Sequence, residues 1–387
     1  MQTTHKIYYS NSNNMVDVST ESVDLIVTSP PYPMIQMWDD IFTEQNTSIR
    51  QAIKNGNGAK AFEQMHEILD PVWDEVYRIL KLGGFACINI GDATRTINGD
   101  FVLYSNHMRI LKKLLKIGFT ALPDILWRKQ TNAPNKFMGS GMLPAGAYVT
   151  LEHEYILIVR KGSKREFKKE KEKEIRRESA MFWEERNIVY SDIWFDIKGT
   201  LQAINDRETR SRSAAYPFEI AYRLINMYSA KDDIVFDPFL GTGTTTIAAM
   251  ASGRNSIGYE IDTTLRDTMN VVMDKIVPIS NEYIQNRLLK HIQFVINRIK
   301  EKGSLKYINS FYGFPVMTRQ ERELIINSLI SINETGKDIF EVNYNPQPQE
   351  EFHKDWSKEL ENKDIDQITD HINSSNKEKS SSQMKLF

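Results

Sequence analysis

Residues 23–32 read VDLIVTSPPY, and this stretch constrains the chain more than any other. Val23 to Val27 is an apolar, β-branched run with the length of a buried parallel strand. Pro30 and Pro31 stop it, because each ring fixes φ and removes an amide donor. The stiff turn therefore lies just past the carboxyl end of a strand, where open α/β sheets place their ligands. It offers carbonyls without local amide partners, the Ser29 hydroxyl and the Tyr32 ring. Such a set accepts hydrogen bonds from an amino group while stacking on the flat ring that carries it. Taken alone, the five residues TSPPY also fit an ordinary loop with a Pro-Pro stop.

A second stretch lies about two hundred residues later. Ile234-Val235-Phe236 reads as a buried strand, followed by DPFLGTGTTT and the apolar helix IAAMA. In this strand, turn and helix, Gly241 and Gly243 let a ligand approach the backbone, and the helix start supplies free amides. Gly253 closes the helix. A further strand, Ser256 to Tyr259, ends in Glu260, and an acidic residue at that place commonly accepts from ribose hydroxyls.

The rest of the chain alternates helix and strand patterns. A short strand (6–9) leads into a polar turn, and residues 33–59 form a loop or lid. A helix over 60–81 stops at Gly83-Gly84, a strand covers 85–90, and a helix covers 103–117 up to Gly118. Strands are expected at 119–128 and 154–160 around a Gly/Pro-rich loop (134–147), and a helix at 217–228 after Pro217. This alternation predicts an α/β fold, a mostly parallel sheet with helices on both faces. Beyond residue 275 the pattern turns helical, over 281–301 and over 318–333 with Thr318 as N-cap. The tail from about 365 is Ser/Asn/Lys-rich and expected to be disordered beyond 374.

Between 160 and 178 basic residues outnumber acidic ones ten to five. A solvated helix with opposite charges at i,i+4 and a phosphate-facing segment both fit this run. Lys164, Arg165, Lys168 and Lys169 are its candidate DNA contacts, and Arg207, Arg210 and Arg212 form a second basic cluster. Net charge is −2, so nucleic-acid binding must come from such local patches. The single cysteine, Cys87, lies in an apolar run. A buried core thiol is expected there, and metal sites built on cysteine clusters are excluded. The N-terminal residues show no apolar signal-like segment, and no apolar run approaches the ~18 residues of a membrane span. A cytoplasmic protein is the expectation.

Taken together, VDLIVTSPPY, GGFACINIGD, EHEYILIVRK, YPFEIAYRLI with FDPFLGTGTT, and IGYEID resemble the S-adenosylmethionine-dependent DNA amino-methyltransferases. The catalytic tetrapeptide precedes the Gly-rich loop, which is the permuted β order of that family. The resemblance covers about residues 5–275. It implies a Rossmann-like methyltransferase sheet over 1–275, with a target-recognition insertion at about 161–210 aided by 129–150. A helical extension (276–365) and a tail (366–387) follow. It also implies S-adenosyl-L-methionine as cofactor and no metal. Asp237, Pro238, Phe239, Gly241, Gly243 and Thr244 would wall the cofactor pocket, with Thr28 beside them. Glu260 would take the ribose and Ile261 the adenine. The block after Tyr9, usually Gly-Asp, reads Ser10-Asn11 here, so Asn11 offers an amide instead of a carboxylate.

The same resemblance makes Ser29, Pro30, Pro31 and Tyr32 the catalytic residues. The Ser29 hydroxyl and Pro30 carbonyl would aim an exocyclic amine at the activated methyl, and Tyr32 would stack on the base. A base inside a duplex is out of reach, so it must be flipped out. Family members with Ser first in the tetrapeptide mostly methylate cytosine N4, and those with Asp or Asn adenine N6. Ser29 thus implies cytosine N4, with adenine N6 the alternative. Double-stranded DNA is the implied partner and a cognate restriction endonuclease the genetic one. An inactive DNA-binding scaffold, a dinucleotide oxidoreductase and an RNA or protein methyltransferase are the competing classes. GTGTTT lacks the last glycine of GxGxxG, and the motif order is the reverse of most RNA and protein enzymes.

Overall fold

The computed structural model describes residues 1–129, 145–146, 148–198 and 216–352. The expected loop at 134–147 and the tail from 365 lie almost wholly outside them.

The chain starts with β1 (Gln2–Tyr8) and β2 (Val23–Thr28). All six residues of β2 are buried, as a largely apolar run covered on both faces requires. Two short helices, α1 (Asp39–Gln45) and α2 (Thr47–Lys54), occupy the stretch read as a lid. The long amphipathic helix α3 (Gly58–Ile79) follows, with Asn57 capping the Lys60 amide. It runs directly into β3 (Leu80–Ile90). Gly83-Gly84 is therefore not the helix stop expected from sequence. A Cβ on Gly84 would meet the Asp24 carbonyl at 2.8 Å, so the glycine serves close approach of β3 to β2, at a register shift between them.

The chain then forms a hairpin, β4 (Ala93–Ile97) and β5 (Asp100–Tyr104). Asn98 and Gly99 turn it with φ of 53° and 87°, the two positive φ values that favour Asn-Gly in hairpins. This hairpin replaces the start of the helix expected from 103, and α4 spans Asn106–Ile117. Next come β6 (Phe119–Ala121), β7 (Ile125–Arg128) and β8 (His153–Lys161). Helices α5 (Glu170–Glu178) and α6 (Trp183–Val189) lead to the two-residue β9 (Ile193–Trp194). The second half carries α7 (Phe218–Tyr228), β10 (Ile234–Asp237), α8 (Thr244–Ala251), β11 (Asn255–Tyr259), α9 (Arg266–Met273) and α10 (Ile276–Lys302).

A short pair, β12 (Tyr307–Ile308) and β13 (Pro315–Val316), comes next. Residues 318–333 do not form the expected helix. Thr318 caps a single 3-10 turn (Arg319–Glu321), and β14 (Leu329–Gly336) pairs antiparallel with β15 (Ile339–Tyr344). The β-branched Ile330 and Ile332 prefer a pleated surface; their i,i+2 spacing puts both on one face of a strand.

Among the described residues one sheet holds eleven strands in the order β14-β15-β1-β11-β10-β2-β3-β8-β7-β9, with β6 paired to β8. The central five, β1-β11-β10-β2-β3, are parallel. Side chains alternate across it. Ile26, Ala86 and Ile88 pack under α3 and α4, and Leu25, Val27, Cys87 and Val235 under α7 and α8. Cys87 is fully buried, as expected. All carboxyl ends of the parallel strands open on one edge, so loops far apart in sequence meet there.

Candidate active site

Two motifs from opposite halves of the chain touch at that edge. Thr28, the last residue of β2, donates its hydroxyl to Asp237 Oδ1 at 2.6 Å across a sequence separation of 209. The second carboxylate oxygen of Asp237 accepts from Thr245 Oγ1 at 2.5 Å, and the Phe239 amide lies 3.0 Å from Oδ1. Tyr216 donates in turn to Thr245 Oγ1, at 2.5 Å. Burial pushes the Asp237 carboxyl up to about 6, against the pull of its three donors. Asp237 is thus a buried clamp joining β10, β2 and the start of α8.

The Gly-rich loop opens beside this clamp. Gly241 has φ of +57°, and a Cβ there would meet nothing within 4 Å, so its α-carbon faces open space. Gly243 has φ of +88°, and a Cβ would stand 3.0 Å from Met269; only glycine fits without displacement. Pro238 and Thr244 are buried at the two ends of the loop. Glu260 follows β11 and holds the loop in shape. Its Oε2 accepts from the Gly241 amide and its Oε1 from the Asp262 amide, both at 2.7 Å. Burial raises the Glu260 carboxyl to about 7 despite these two amides. Ile261 beside it is 51% exposed, and Phe239 leans edge-on against Trp73 at 5.9 Å. Asn11 sits past the end of neighbouring β1. Its carbonyl caps the Asn13 amide at 2.9 Å, and its Nδ2 lies 3.5 Å from Gln45 of α1.

The Pro-Pro loop is held from several sides. The Ile35 amide returns to the Tyr32 carbonyl at 3.2 Å, closing a turn with Pro33 second and Met34 third. Met34 takes φ of +69°, as the third position of a type II turn demands, and its side chain is buried. Asn106 at the start of α4 donates to both the Pro33 and Gly91 carbonyls at 3.0 Å, tying the loop to the end of β3. Tyr32 lies so close to Gly91 that a Cβ there would meet its ring at 2.9 Å.

The tyrosine also joins a polar cluster. Ser29 Oγ is 3.2 Å from Tyr32 OH, which donates to Glu154 Oε2 at 2.8 Å. Asn89 Nδ2 reaches Tyr32 OH at 2.9 Å and Glu154 Oε2 at 2.7 Å. Lys129 Nζ is 2.7 Å from Glu154 Oε1. Burial, then the Glu154 charge, hold the Tyr32 phenol well above its ordinary range. Donation therefore runs outward from Ser29 through Tyr32 to Glu154, and Ser29 Oγ accepts only a long contact from Asn89 Nδ2 at 3.5 Å, which leaves it a lone pair for a further donor. Among the described residues the Pro30 carbonyl accepts from no backbone amide outside the regular helices and strands.

Sequence reading missed Asn89, Glu154, Lys129, Tyr216 and Thr245. One of them left a signal, since Asn89 is a polar residue inside an otherwise apolar strand block. Of the expected DNA contacts, Arg165 is not brought to this edge. Its guanidinium forks onto Asp233 at 2.6 and 2.9 Å and lies 3.6 Å from Asp24, at the amino ends of β10 and β2. Lys164, Lys168 and Lys169 belong to the same segment, where the Lys168 and Lys169 amides bond Glu172. Arg207, Arg210 and Arg212, and most of 129–150, lie outside the described residues. The chain enters 199–215 after β9, which runs parallel to β7, and leaves it at Tyr216 beside the Asp237 clamp. Among the described residues no group of His, Cys, Asp and Glu could hold a metal ion, and no helix is long and apolar enough to cross a membrane.

The sequence profile of a DNA methylase family matches residues 23–270. Type II methyltransferase M.MthZI of Methanothermobacter thermautotrophicus is 52% identical over 84% of this chain and 90% of its own length. Type II methyltransferase M.MjaI of Methanocaldococcus jannaschii is 49% identical over 68% of this chain and 89% of its own. Among solved structures, TTHA0409 of Thermus thermophilus complexed with S-adenosyl-L-methionine is similar with a TM-score of 0.54. It is 28% identical and covers 71% of this chain and 93% of that one. With its matched span running from the Pro-Pro strand through the Gly-rich loop, the chain belongs to the N6/N4 DNA methylase family.

Proposed function

We propose that this protein transfers a methyl group from S-adenosyl-L-methionine to the exocyclic N4 of a flipped-out cytosine in double-stranded DNA. It acts as the modification enzyme of a type II restriction–modification system, with a cognate endonuclease as genetic partner. The observation that carries the reading is the serine at the head of the Pro-Pro loop. Its hydroxyl proton is directed away, toward Tyr32, and the loop is joined to the Gly-rich loop through Thr28 and Asp237.

The residues present fit the cofactor. Open space over Gly241, the Glu260 carboxylate, the half-exposed Ile261 face and the amides at the start of α8 suit a glycine-bordered site for a nucleoside. Asn11 borders the same edge. When bound, the sulfonium supplies a methyl already activated for displacement. Glu260 keeps an unused lone pair on each oxygen for ribose hydroxyls. Asp237 acts indirectly, by fixing the distance between the two loops.

Ser29 Oγ and the Pro30 carbonyl accept the two amine hydrogens, which sets the nitrogen lone pair across from the methyl. Pro31 stiffens the loop and the Tyr32 ring stacks on the base. The nitrogen sheds one proton after transfer, and the chain Ser29–Tyr32–Glu154 ends in a carboxylate able to take it. Two acceptors that strengthen as the amine becomes cationic stabilise the transition state more than the ground state. DNA recognition is assigned to the segment that carries the basic residues Arg207, Arg210 and Arg212.

Incubation with unmethylated DNA and S-adenosylmethionine, then nucleoside mass spectrometry, tests the reading. N4-methyldeoxycytidine is the expected product. N6-methyldeoxyadenosine would overturn the base assignment, and the absence of any methylated nucleoside would overturn the activity.

A further inference from the structure

A flipped base brings more than its amine against the protein. The ring nitrogen beside the amine is an acceptor, N3 in cytosine and N1 in adenine. Cytosine alone carries another acceptor, the O2 carbonyl, next to that nitrogen. A pocket that meets these atoms without donors leaves them desolvated and unpaired.

The donors around Ser29 are few. The Tyr32 hydroxyl proton goes to Glu154, and Asn89 Nδ2 spends its protons on Tyr32 and Glu154. Glu154 itself only accepts. Lys129 differs: among the described residues its ammonium engages one partner, Glu154 Oε1 at 2.7 Å, out of three possible. Its side chain is half exposed and follows β7 at the catalytic edge. Glu154 grips it, and the Trp127 ring lies 5.4 Å away. Trp127 is buried and anchored by its own bond to the Ile197 carbonyl at 2.9 Å. The ammonium is thus held in place on a built support.

Resting on the cytosine reading, we infer that Lys129 is a specificity-determining residue that donates to N3 and O2 on the Watson–Crick edge of the flipped cytosine. Adenine in the same position offers N1 and a C2–H, so one of the two bonds has no acceptor. The pairing with Glu154 keeps the ammonium from opposing the positive charge that develops on the amine.

The test uses the full-length enzyme and a duplex carrying its site, read first from methylated positions in genomic DNA. The target cytosine is compared with a 2-aminopyridine C-nucleoside, which keeps the amine and adjacent ring nitrogen but replaces the O2 carbonyl with C–H. Wild type is expected to lose about tenfold or more in kcat/KM on the analogue. Lys129→Met is expected to lose a similar factor on cytosine and much less on the analogue. Lys129→Arg, which keeps charge and donors, is expected to retain most of the discrimination. Calorimetric affinity for S-adenosylmethionine within about twofold of wild type establishes that the variants are folded. Equal losses on both substrates, or none, would overturn the assignment of Lys129 alone. N6-methyldeoxyadenosine as the wild-type product would overturn the cytosine reading and this assignment with it.

Discussion

Glu260 folds the Gly-rich loop by accepting two backbone amides from within the interior, and burial sets its proton affinity near neutrality. An unfolded glutamate titrates near ~4.3, so the folded state binds this proton more tightly. The sign follows from linkage: the stabilisation is fully present below the unfolded pKa and is lost as pH rises through about 7. Urea unfolding of wild type and Glu260→Gln at pH 5 and pH 8 measures it. Wild type is expected to gain on the order of 1–2 kcal/mol more than the variant at the lower pH. Asp237 is present in both proteins, so only the part of its shift that depends on the Glu260 charge enters the difference. Arg165 makes the contrasting case. Its fork onto Asp233 makes it a structural residue, so Arg165→Ala should destabilise by about 1–3 kcal/mol. Its DNA affinity and salt slope should stay at wild-type values in a filter-binding titration; a slope reduced by about one would return it to the phosphate contacts.

Elements bounded by glycine and proline were the most legible. Pro30-Pro31 and Gly241/Gly243 mark strand ends with backbone conformations few residues tolerate, and both loops stand where the sequence puts them. Misreadings came where one local pattern serves two structures. Gly83-Gly84 resembles a helix stop, but the contact it permits is with Asp24, a residue about sixty positions away that no local window contains. The β4–β5 hairpin was announced by Asn98-Gly99 and lost under the apolar spacing of the following helix. At 318–333 Thr318 does cap a turn, and the isoleucines beyond it join a strand. That strand matters, because the β14–β15 hairpin covers the edge of β1. Truncation after residue 328 should leave β1 as an open edge, lowering the melting temperature by several degrees and promoting aggregation. A soluble truncation melting like wild type would show that the hairpin is dispensable.

At the scale of the whole molecule, the candidate site exists only because a parallel sheet gathers loops from both ends of the chain. Sequence order separates TSPPY from DPFLGTG by about two hundred residues, and sheet order makes β2 and β10 neighbours joined through Thr28 and Asp237. Residue types announced the two loops; the groups around them were hidden. Glu154, Asn89 and Lys129 arrive from three different strands or their ends, and no spacing rule links them to Ser29. The charge run at 160–178 could not name its own partners, which include Asp24 and Asp233 at the far edge of the sheet.

In the proposed function Ser29 is the acceptor that aims the amine, distinct from the groups proposed to bind the cofactor. The direct measurement is the single-turnover rate of methyl transfer to DNA by Ser29→Ala at saturating S-adenosylmethionine. A fall of about a hundredfold, the scale seen when one preorganised hydrogen-bonding group is removed from an active site, with cofactor affinity within about twofold of wild type, is the predicted result. A rate equal to wild type would contradict it.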